Sequence, residues 1–250
     1  MKDAMQMIYG INPLIESLHG DPAGISRIII AAGKKGPSVD KILEMASCHG
    51  VNVSFQDHAA LDRLAGRVTH QGVVGLCRPY NYATLDEIMA NSHPALQGEV
   101  ILLVDGVTDP QNLGALIRTA HCFGASGVVI PAHRAASVTP VVMKASAGAL
   151  RYTPVAMEAN LSRTIDILKE NQYWIYGADA DADHDVAAVK FEGRIGLVVG
   201  AEGKGIRPLV KRKCDFLVSM PMAGKINSLN VSVAAGIVLY AIFRALKRRE

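Results

Sequence analysis

The sequence predicts an α/β protein built on a parallel β-sheet that helices cover on both faces. From residue 100 onward, short apolar segments rich in β-branched residues alternate with segments of helical periodicity. Strands buried on both faces are typically continuous apolar runs, whereas a sheet with one wet face alternates apolar and polar residues. The chain has 250 residues, half of them hydrophobic, so it can bury one large core or two moderate ones.

Residues 1–76 are predicted to form a small α/β domain. Gly20 is expected to end its first helix, because glycine readily adopts the left-handed conformation that follows a helix. Asp57 is expected to cap the third helix with its carboxylate. The predicted helices cover residues 8–20, 39–50 and 57–66, and the predicted strands cover residues 26–31, 51–55 and 72–77.

Residues 77–96 are predicted to link two domains. The segment is more polar than its surroundings, contains Pro79 and Pro94, and has one short helix candidate. Polar segments with prolines are typical of connections between domains.

Residues 97–250 are predicted to form the second domain, which contains the parallel sheet. Asn112 is the expected N-cap of its first helix, and Ser228 and Asn230 are expected to open its last helix. The predicted strands cover residues 100–105, 127–131, 153–157, 173–178, 194–200 and 215–220. The predicted helices cover residues 112–123, 139–148, 160–171, 206–211 and 228–247.

Composition narrows the class of protein. The net charge of +3 permits a nucleic-acid partner without requiring one. The four cysteines lack the paired spacing of zinc or disulfide frameworks, which favours a reducing cytoplasm and no metal. The apolar segment 231–243 is too short to span a bilayer, and the N-terminal segment lacks the apolar core of a secretory signal. We therefore expect a cytoplasmic protein with no membrane partner.

The glycine-rich segment 197–206 looks like a phosphate-binding loop but fits neither common nucleotide motif. The phosphate-loop motif fails because Val198 replaces its first glycine and Gly205 follows Lys204. The dinucleotide motif fails because Ala201 and Glu202 separate the first two glycines by one residue too many. The glycines still indicate a close backbone approach, either to a ligand or within a tight turn. A nucleotide-dependent enzyme is therefore disfavoured.

Aspartates alternate with other residues from Asp179 to Asp185. A calcium-binding loop that started at Asp181 would need glycine at its sixth position, where the chain has Val186. A solvated loop without metal is the favoured interpretation.

Three segments, residues 104–120, 197–206 and 220–236, share a layout that points to a ligand site. Each lies at the end of an apolar run and passes through a turn rich in glycine, proline or asparagine. Ligands of α/β proteins bind at the carboxyl ends of parallel strands. The polar residues expected to meet there are Asn112, Arg118, Glu202, Ser228 and Asn230.

These residues, and the basic residues elsewhere, also have ordinary structural interpretations. The asparagines and Ser228 could be helix caps alone, and Arg118 could be a surface cation. Lys34 and Lys35 lie together in a predicted loop and are candidates for contact with a nucleic-acid backbone. The basic residues of 244–249 fit such contact and the helix dipole equally well.

Taken together, the three segments resemble the motifs of the SpoU (TrmH-like) RNA 2′-O-ribose methyltransferases, a branch of the SPOUT superfamily. The first pattern, N-x-G-x-x-x-R, runs from Asn112 to Arg118. The second, G-x-E-G-x-G, begins at Gly200, and the third, S-x-N-V-S-x-A, begins at Ser228. The patterns occur in the family's order near the expected separations, and the resemblance spans residues 97–250.

The resemblance implies a fold, a cofactor and an assembly. The fold would be an α/β knot, with a deep trefoil knot at the carboxyl end of the sheet. The chain would form a homodimer in which both knots shape the active site. S-adenosylmethionine would lie bent in the knot, held largely by backbone groups of Val199, Gly200, Met220, Leu229 and their neighbours.

The resemblance also implies an RNA substrate. The first domain looks like the L30e-like RNA-binding domain of bacterial enzymes that methylate a guanosine in 23S rRNA, which favours 23S rRNA as the partner. The same chemistry on tRNA or on another rRNA site is the alternative within the family. A non-catalytic RNA-binding factor of ribosome assembly is the alternative from another class, although the intact motifs argue against it.

In the family, the arginine that corresponds to Arg118 is proposed as the base that deprotonates the ribose hydroxyl. A guanidinium has a pKa above about 12 and is effectively never neutral in proteins. Arg118 could instead hold the target phosphate and stabilise a developing alkoxide by its charge. Asn112, Glu202, Ser228 and Asn230 would then orient Arg118 and the ribose. Displacement at a methyl carbon needs an aligned nucleophile and no metal.

Overall fold

The computed structural model of the protein describes residues 7–20, 22–66, 68–224 and 228–248. Contacts divide the chain into two compact units. The first unit comprises residues 1–81 and 138–144, and the second comprises residues 82–137 and 145–250. The domain boundaries drawn from the sequence at residues 76 and 97 stay predictions.

The first unit is a four-stranded mixed sheet with helices on both faces. Its strands are β1 (Met7–Tyr9), β2 (Ile25–Ala31), β3 (Asn52–Gln56) and β4 (Val73–Cys77), in the order β1-β4-β2-β3. Its helices are α1 (Ile11–Gly20), α2 (Pro37–Cys48) and α3 (His58–Ala65). Strand β2 runs parallel to β3, whereas β4 runs antiparallel to both of its neighbours.

Two buried clusters hold this unit together. On one face of the sheet, Ile28 packs with Leu14 of α1 and Ile42 of α2. On the other face, Ile29 packs with Leu61 of α3. Neighbouring strand residues thus point to opposite faces, as the pleat requires.

The prediction of one helix over residues 8–20 was wrong at its start. Met7–Tyr9 forms an edge strand that pairs with β4. Gly10 then turns the chain with a φ of 93°, and its backbone amide donates to the carbonyl of Val73 at 3.1 Å. The predicted cap of α3 is confirmed, because the Asp57 carboxylate accepts from the amide of Ala60 at 2.6 Å.

The second unit contains a seven-stranded sheet in which every pairing is parallel. Its strands are β5 (Glu99–Asp105), β6 (Gly127–Pro131), β7 (Val155–Glu158), β8 (Tyr173–Ala178), β9 (His184–Asp185), β10 (Arg194–Gly200) and β11 (Phe216–Ser219). Their order is β7-β6-β5-β10-β8-β11-β9. The parallel sheet predicted from continuous apolar strands is therefore confirmed, and β9 is an addition that the sequence did not predict.

Helices cover both faces of this sheet. The helices of the second unit are α4 (Leu85–Ala90), α5 (Pro110–Cys122), α7 (Leu161–Glu170), α8 (Pro208–Lys211) and α9 (Val231–Leu246). Helix α6 (Pro140–Ala145) belongs, except for its last residue, to the first unit. Ile88 of α4, Ile165 of α7 and Val210 of α8 pack with Leu103 and Val198 of the central strands. Helices α5 and α9 pack on each other, and α9 contacts β8 and β10.

Several predicted helices are shorter than expected. The helix predicted over residues 228–247 runs from Val231 to Leu246, so Ser228 lies outside it and Asn230 alone caps its start. The helix predicted over residues 139–148 ends at Ala145, because Ala147 and Gly148 have φ values of 49° and 89°. The helix predicted over residues 206–211 begins only at Pro208. In the described part of the chain, no helix is both long enough and apolar enough to cross a membrane.

Candidate cofactor and catalytic site

A cavity of about 420 Å³ opens at the carboxyl edge of the parallel sheet. Val199 and Gly200, at the end of β10, contribute to its wall, and Met220 follows β11 into it. Leu229 contributes an apolar side chain from the segment that precedes α9. The structure thus brings together all four residues predicted to hold the cofactor.

The loop after β10 folds back on itself and forms another wall of this cavity. The amide of Gly205 donates to the carbonyl of Ala201 at 2.8 Å, which closes a tight hairpin. A Cβ on Gly200 would lie 2.0 Å from the carbonyl carbon of Gly205, so any side chain at position 200 would collide with backbone. Gly205 itself has a φ of 64°. The glycines that fitted no nucleotide motif therefore build a hairpin beside the cavity.

An ion pair between a buried carboxylate and a half-exposed arginine anchors the end of this hairpin to the sheet. The side chain of Asp105, the last residue of β5, is fully buried. Its carboxylate accepts from the backbone amide of Arg207 at 2.8 Å and from the guanidinium Nε and Nη2 at 2.7 and 2.6 Å. The two guanidinium nitrogens share Oδ1 and the backbone amide takes Oδ2, so both carboxylate oxygens are satisfied by charge-assisted or backbone hydrogen bonds. The sequence did not predict this pair, although an aspartate that ends a buried apolar strand was a visible signal.

Three of the predicted catalytic side chains meet in one hydrogen-bonded network. The Nδ2 atom of Asn230 donates to Oδ1 of Asn112 at 2.9 Å and to Oε1 of Glu202 at 2.7 Å. Its Oδ1 atom accepts from the amide of Ser232 at 3.0 Å and from the Ser232 hydroxyl at 2.5 Å. Both amide hydrogens and both lone pairs of Asn230 are thereby used. Asn230 can orient its neighbours, but it has no hydrogen-bonding capacity left for a ligand.

The network is positioned by the starts of two helices. Asn230 is the N-cap of α9, as predicted, and Glu202 also accepts from the amide of Val231 at 3.3 Å. The prediction that Asn112 caps α5 was wrong. Asp109 is the cap and accepts from the amide of Gln111 at 3.0 Å, with Pro110 as the first helical residue. This arrangement leaves the Asn112 side chain free to point at Asn230.

Arg118 lies apart from this network. It follows Asn112 by six residues on α5, which places it about 240° around the helix axis. Its side chain is exposed, and within the described residues it has no hydrogen bond or ion pair. Ser228 is likewise exposed, and it lines the cavity beside Leu229.

The cavity also borders on an ion pair that the sequence did not predict. Nζ of Lys211 lies 2.7 Å from the Asp179 carboxylate, and both residues line the cavity. The hydrogen bond from Lys211 to Asp179 raises the pKa of the lysine above its ordinary value. Asp181 and Asp183 are exposed, as the interpretation of a solvated loop requires, but Asp179 and Asp181 both line the cavity.

A thiol near this part of the fold is not available as a nucleophile. Cys214 packs against the core cluster beneath α7 and α8. Burial raises the pKa of its thiol to about 12, so the reactive thiolate is not formed at neutral pH.

The residues of the first unit that were predicted to bind RNA lie in the loop after β2. Lys35 is exposed, whereas Lys34 is half-buried, and the aliphatic part of the Lys34 side chain lies close to Gly72.

Within the described residues, His58, Asp62 and His70 of this unit form the one group that could hold a metal ion. Asp62 accepts from Nε2 of His70 at 2.8 Å, while Nδ1 of His70 accepts from the amide of Gly72 at 3.1 Å.

These bonds favour a hydrogen-bonded cluster over a metal site. Because Nδ1 of His70 is an acceptor, the ring proton lies on Nε2, the atom that a metal would need. The hydrogen bonds from His70 and His58 hold the pKa of Asp62 below its ordinary value. The expected absence of a metal stays a prediction.

The dimensions and lining of the cavity at the sheet edge fit S-adenosylmethionine. Its volume falls within the range of about 300–1,000 Å³ that is typical of small-molecule sites. Val199, Met220, Leu229 and Ile206 offer apolar surface for an adenine ring, and the hairpin offers backbone amides and carbonyls. Such groups recognise a nucleoside without a phosphate-binding motif.

Two family models match the chain. Residues 99–240 match the model described as the SpoU rRNA Methylase family. Residues 7–83 match the model described as RNA 2′-O ribose methyltransferase substrate binding. The two matches together extend over most of both units.

Curated relatives and solved structures agree with these matches. YacO of Bacillus subtilis, which is assigned to the TrmH family of tRNA/rRNA methyltransferases, is 38% identical over 98% of this chain and 97% of its own. A Staphylococcus epidermidis protein assigned to the same family is 40% identical over 90% of each chain. The SpoU methyltransferase AviRb of Streptomyces viridochromogenes, solved with its cofactor AdoMet, superposes with a TM-score of 0.66 at 24% identity, over 96% of this chain and 89% of AviRb. The predicted SPOUT-type α/β knot fold is thereby confirmed.

Proposed function

Because the chain belongs to the SpoU methylase family of RNA 2′-O-ribose methyltransferases, we propose that it methylates the ribose of a guanosine in 23S rRNA. The methyl donor of this family is S-adenosylmethionine. The observation that carries the proposal is the cavity at the sheet edge, which Glu202 lines and which Glu202 connects to Asn112 and Asn230 through the hydrogen bonds of Asn230. It places a cofactor-sized space directly beside side chains that can orient a ribose.

The residues of the chain act by binding and orienting the reactants. When bound, S-adenosylmethionine supplies a methyl group on a positively charged sulfur. Asn230 holds the side chains of Asn112 and Glu202 in place, and the Asn112 amide nitrogen, which has no partner among the described residues, is available as a hydrogen-bond donor. Fixed groups of this kind lower the entropic cost of aligning a nucleophile with the methyl carbon.

Arg118 contributes its charge. A guanidinium stays protonated at all physiological pH values, so it stabilises the negative charge that develops on the ribose oxygen or holds the adjoining phosphate. In one protomer Arg118 is exposed and lies outside the network of Asn112, Glu202 and Asn230. We therefore assign it to a site that is completed by a second copy of the chain.

An apolar stripe on α9 supports this homodimer. Val233, Ile237 and Tyr240 follow one another at helical spacing and are 51%, 42% and 50% exposed. The Tyr240 ring contacts Phe123 at the end of α5, the helix that carries Arg118. A second copy that binds this stripe would bury it and would bring a partner close to α5.

Analytical ultracentrifugation tests this homodimer. The protein should sediment with the mass of a dimer, and Ile237→Lys should give a monomer that has lost methyl transfer.

The first unit supports RNA as the substrate, and its resemblance to the RNA-binding domain of enzymes that methylate 23S rRNA favours the choice of ribosomal RNA. It matches the substrate-binding model of the family, and Lys35 offers an exposed cation for a phosphate. A separate unit can bind the RNA through the shape and the backbone of the RNA, while one nucleotide enters the site. We place the reaction in the cytoplasm, where such RNA is made.

The experiment that tests the proposal is methyl transfer to separated RNA classes. The protein is incubated with labelled S-adenosylmethionine and with 23S rRNA, 16S rRNA or tRNA from a strain that lacks the enzyme, and the labelled nucleotide is mapped. We expect label on one guanosine of 23S rRNA, and none on a fragment with a 2′-deoxyribose at that position. Label on tRNA alone would show that the choice of rRNA is wrong. If no RNA is labelled, the assignment of methyltransferase activity is wrong.

A further inference from the structure

Tyr152 is the most exposed large hydrophobic side chain of the described residues. Its exposed fraction is 72%, against 57% for Phe55 and 54% for Trp174. The residue follows a short 3-10 turn (Ala149–Arg151) in the second unit, and its amide donates to the carbonyl of Ala149 at 3.0 Å. An aromatic ring that stays this exposed while its backbone is fixed is available to a ligand.

One face of the Tyr152 ring is already supported. His121 of α5 stacks on it, with ring centroids 5.4 Å apart and an angle of 23° between the planes. Nδ1 of His121 lies 3.1 Å from the hydroxyl of Thr153, whose side chain is buried. The imidazole is therefore held in place and holds the tyrosine ring in turn. The opposite face of Tyr152 is left for a second flat partner.

The residues around the His121–Tyr152 stack carry positive charge, which favours contact with a nucleic-acid backbone. His121 lies one helical turn beyond Arg118 on the exposed side of α5. Arg151, which directly precedes Tyr152, is also exposed. Neither arginine forms an ion pair with a carboxylate within the part of the chain that the structure describes. An exposed aromatic ring flanked by unpaired cations is the usual surface on which a single-stranded nucleic acid stacks its bases.

We propose that Tyr152, backed by His121, stacks on an unpaired base of the RNA substrate next to the nucleotide that is methylated. The inference rests on the proposed function and extends it by naming a second nucleotide contact outside the cofactor cavity. Arg151 and Arg118 bind the phosphates on either side of the stacked base. The His121–Tyr152 stack is preformed, so little side-chain entropy is lost when RNA binds. RNA with an unpaired base beside its target is therefore preferred to a continuous duplex.

The test compares Tyr152→Leu with Tyr152→Phe. Leucine keeps an apolar side chain but removes the aromatic face, whereas phenylalanine keeps the face and removes only the hydroxyl. RNA affinity is measured by fluorescence anisotropy with a labelled fragment of 23S rRNA, alongside the RNA dependence of methyl transfer. Tyr152→Leu should weaken RNA binding on the order of tenfold, the range for loss of one stacked base. Tyr152→Phe should bind like the parent.

Three controls separate this role from others. Trp174→Leu removes another exposed aromatic ring and should leave RNA binding unchanged, and all variants should keep the parent's affinity for S-adenosylmethionine. All should also elute from a sizing column at the parent's volume. Equal RNA affinity of Tyr152→Leu and the parent would overturn the proposal. A change in the oligomeric state of Tyr152→Leu would overturn it too, because the ring would then be a subunit contact.

Failure of the proposed function would look different. If the parent protein transfers methyl groups to no RNA, the enzyme assignment is wrong, while the anisotropy measurement still decides whether Tyr152 contacts RNA. If the parent is active and the Tyr152 variants are indistinguishable from it in binding and in transfer, only the stacking inference is wrong.

Discussion

The two sheets of this protein differ in where they put the ends of their strands. In the second unit every pairing is parallel, so Asp105, Gly200 and Ser219 end their strands at one edge. In the first unit β4 runs against both of its neighbours, so strand ends are divided between two edges. The parallel sheet can therefore gather distant parts of the chain into one site, as Asn112, Glu202 and Asn230 illustrate. The mixed sheet presents single residues, such as Lys35, on separate loops.

This difference predicts that substitutions at the strand ends of the second unit affect catalysis, whereas substitutions at exposed residues of the first unit affect only RNA affinity. The largest effect is expected for Arg118→Ala. Loss of one preorganised charged donor should lower the single-turnover rate on the order of a thousandfold, as in other sites that stabilise an oxyanion. Affinity for S-adenosylmethionine, measured by calorimetry, should stay within a few-fold. If cofactor binding collapses instead, Arg118 serves the cofactor pocket or the fold.

The ion pairs of the two units should differ strongly in their contribution to stability. Arg207→Ala leaves the buried Asp105 carboxylate without its guanidinium, although the backbone amide of residue 207 still donates to it, and should cost about 2 kcal/mol in the free energy of unfolding of the second unit. It should also weaken cofactor binding, because Arg207 anchors the hairpin beside the cavity. In the first unit, Lys144→Ala removes an exposed pair with Glu16 and should cost less than about 1 kcal/mol. Urea unfolding measures both changes, and similar losses for the two variants would contradict the comparison.

Asn230 allows the structural and the catalytic role of one residue to be separated. Asn230→Ser keeps an oxygen that can cap α9, whereas Asn230→Ala loses the cap at a cost of about 1 kcal/mol. Both variants lose the link between Asn112 and Glu202, so both should transfer methyl groups on the order of a hundredfold more slowly. Thermal unfolding and single-turnover rates are the measurements. A serine variant as active as the parent would show that the network is only a helix cap.

The smallest effect is expected in the first unit. Lys35→Ala should weaken RNA binding a few-fold and reduce the slope of log affinity against log salt by about 0.7–0.9, the value for one lost phosphate contact. Cofactor affinity and the maximal rate should not change. Lys41→Ala, which removes an exposed lysine on α2 of the same unit, is the matched control. A loss of maximal rate in Lys35→Ala would contradict the assignment of RNA binding to the first unit and of catalysis to the second.

Much of the fold could be predicted because the strands of the second unit are unambiguous. Continuous apolar runs such as residues 194–200 are buried on both faces, and only a covered parallel sheet accommodates many of them. The start of α1 was predicted wrongly because Met7–Tyr9 has no periodicity of its own. It becomes a strand only by pairing with β4, about 65 residues further along the chain. Contacts of that kind leave no local signal.

The site was partly predictable for the same reason. Glycines and asparagines after strands indicated where a ligand would bind, and four residues chosen for the cofactor do line one cavity. The Asp105–Arg207 pair was missed because its partners are 102 residues apart and each has an ordinary local interpretation. The cap of α5 was misassigned, although an aspartate directly before a proline is itself a signal for a helix start.

Asn230 begins a sixteen-residue helix and also holds Asn112 and Glu202 in place. Fraying of the first turn of α9 and disassembly of the site are consequently a single event. Helix ends open far more readily than whole domains do, so such opening needs much less free energy than global unfolding. Activity should therefore decline with temperature before the protein unfolds. Amide hydrogen exchange at Val231 and Ser232 would follow that decline directly.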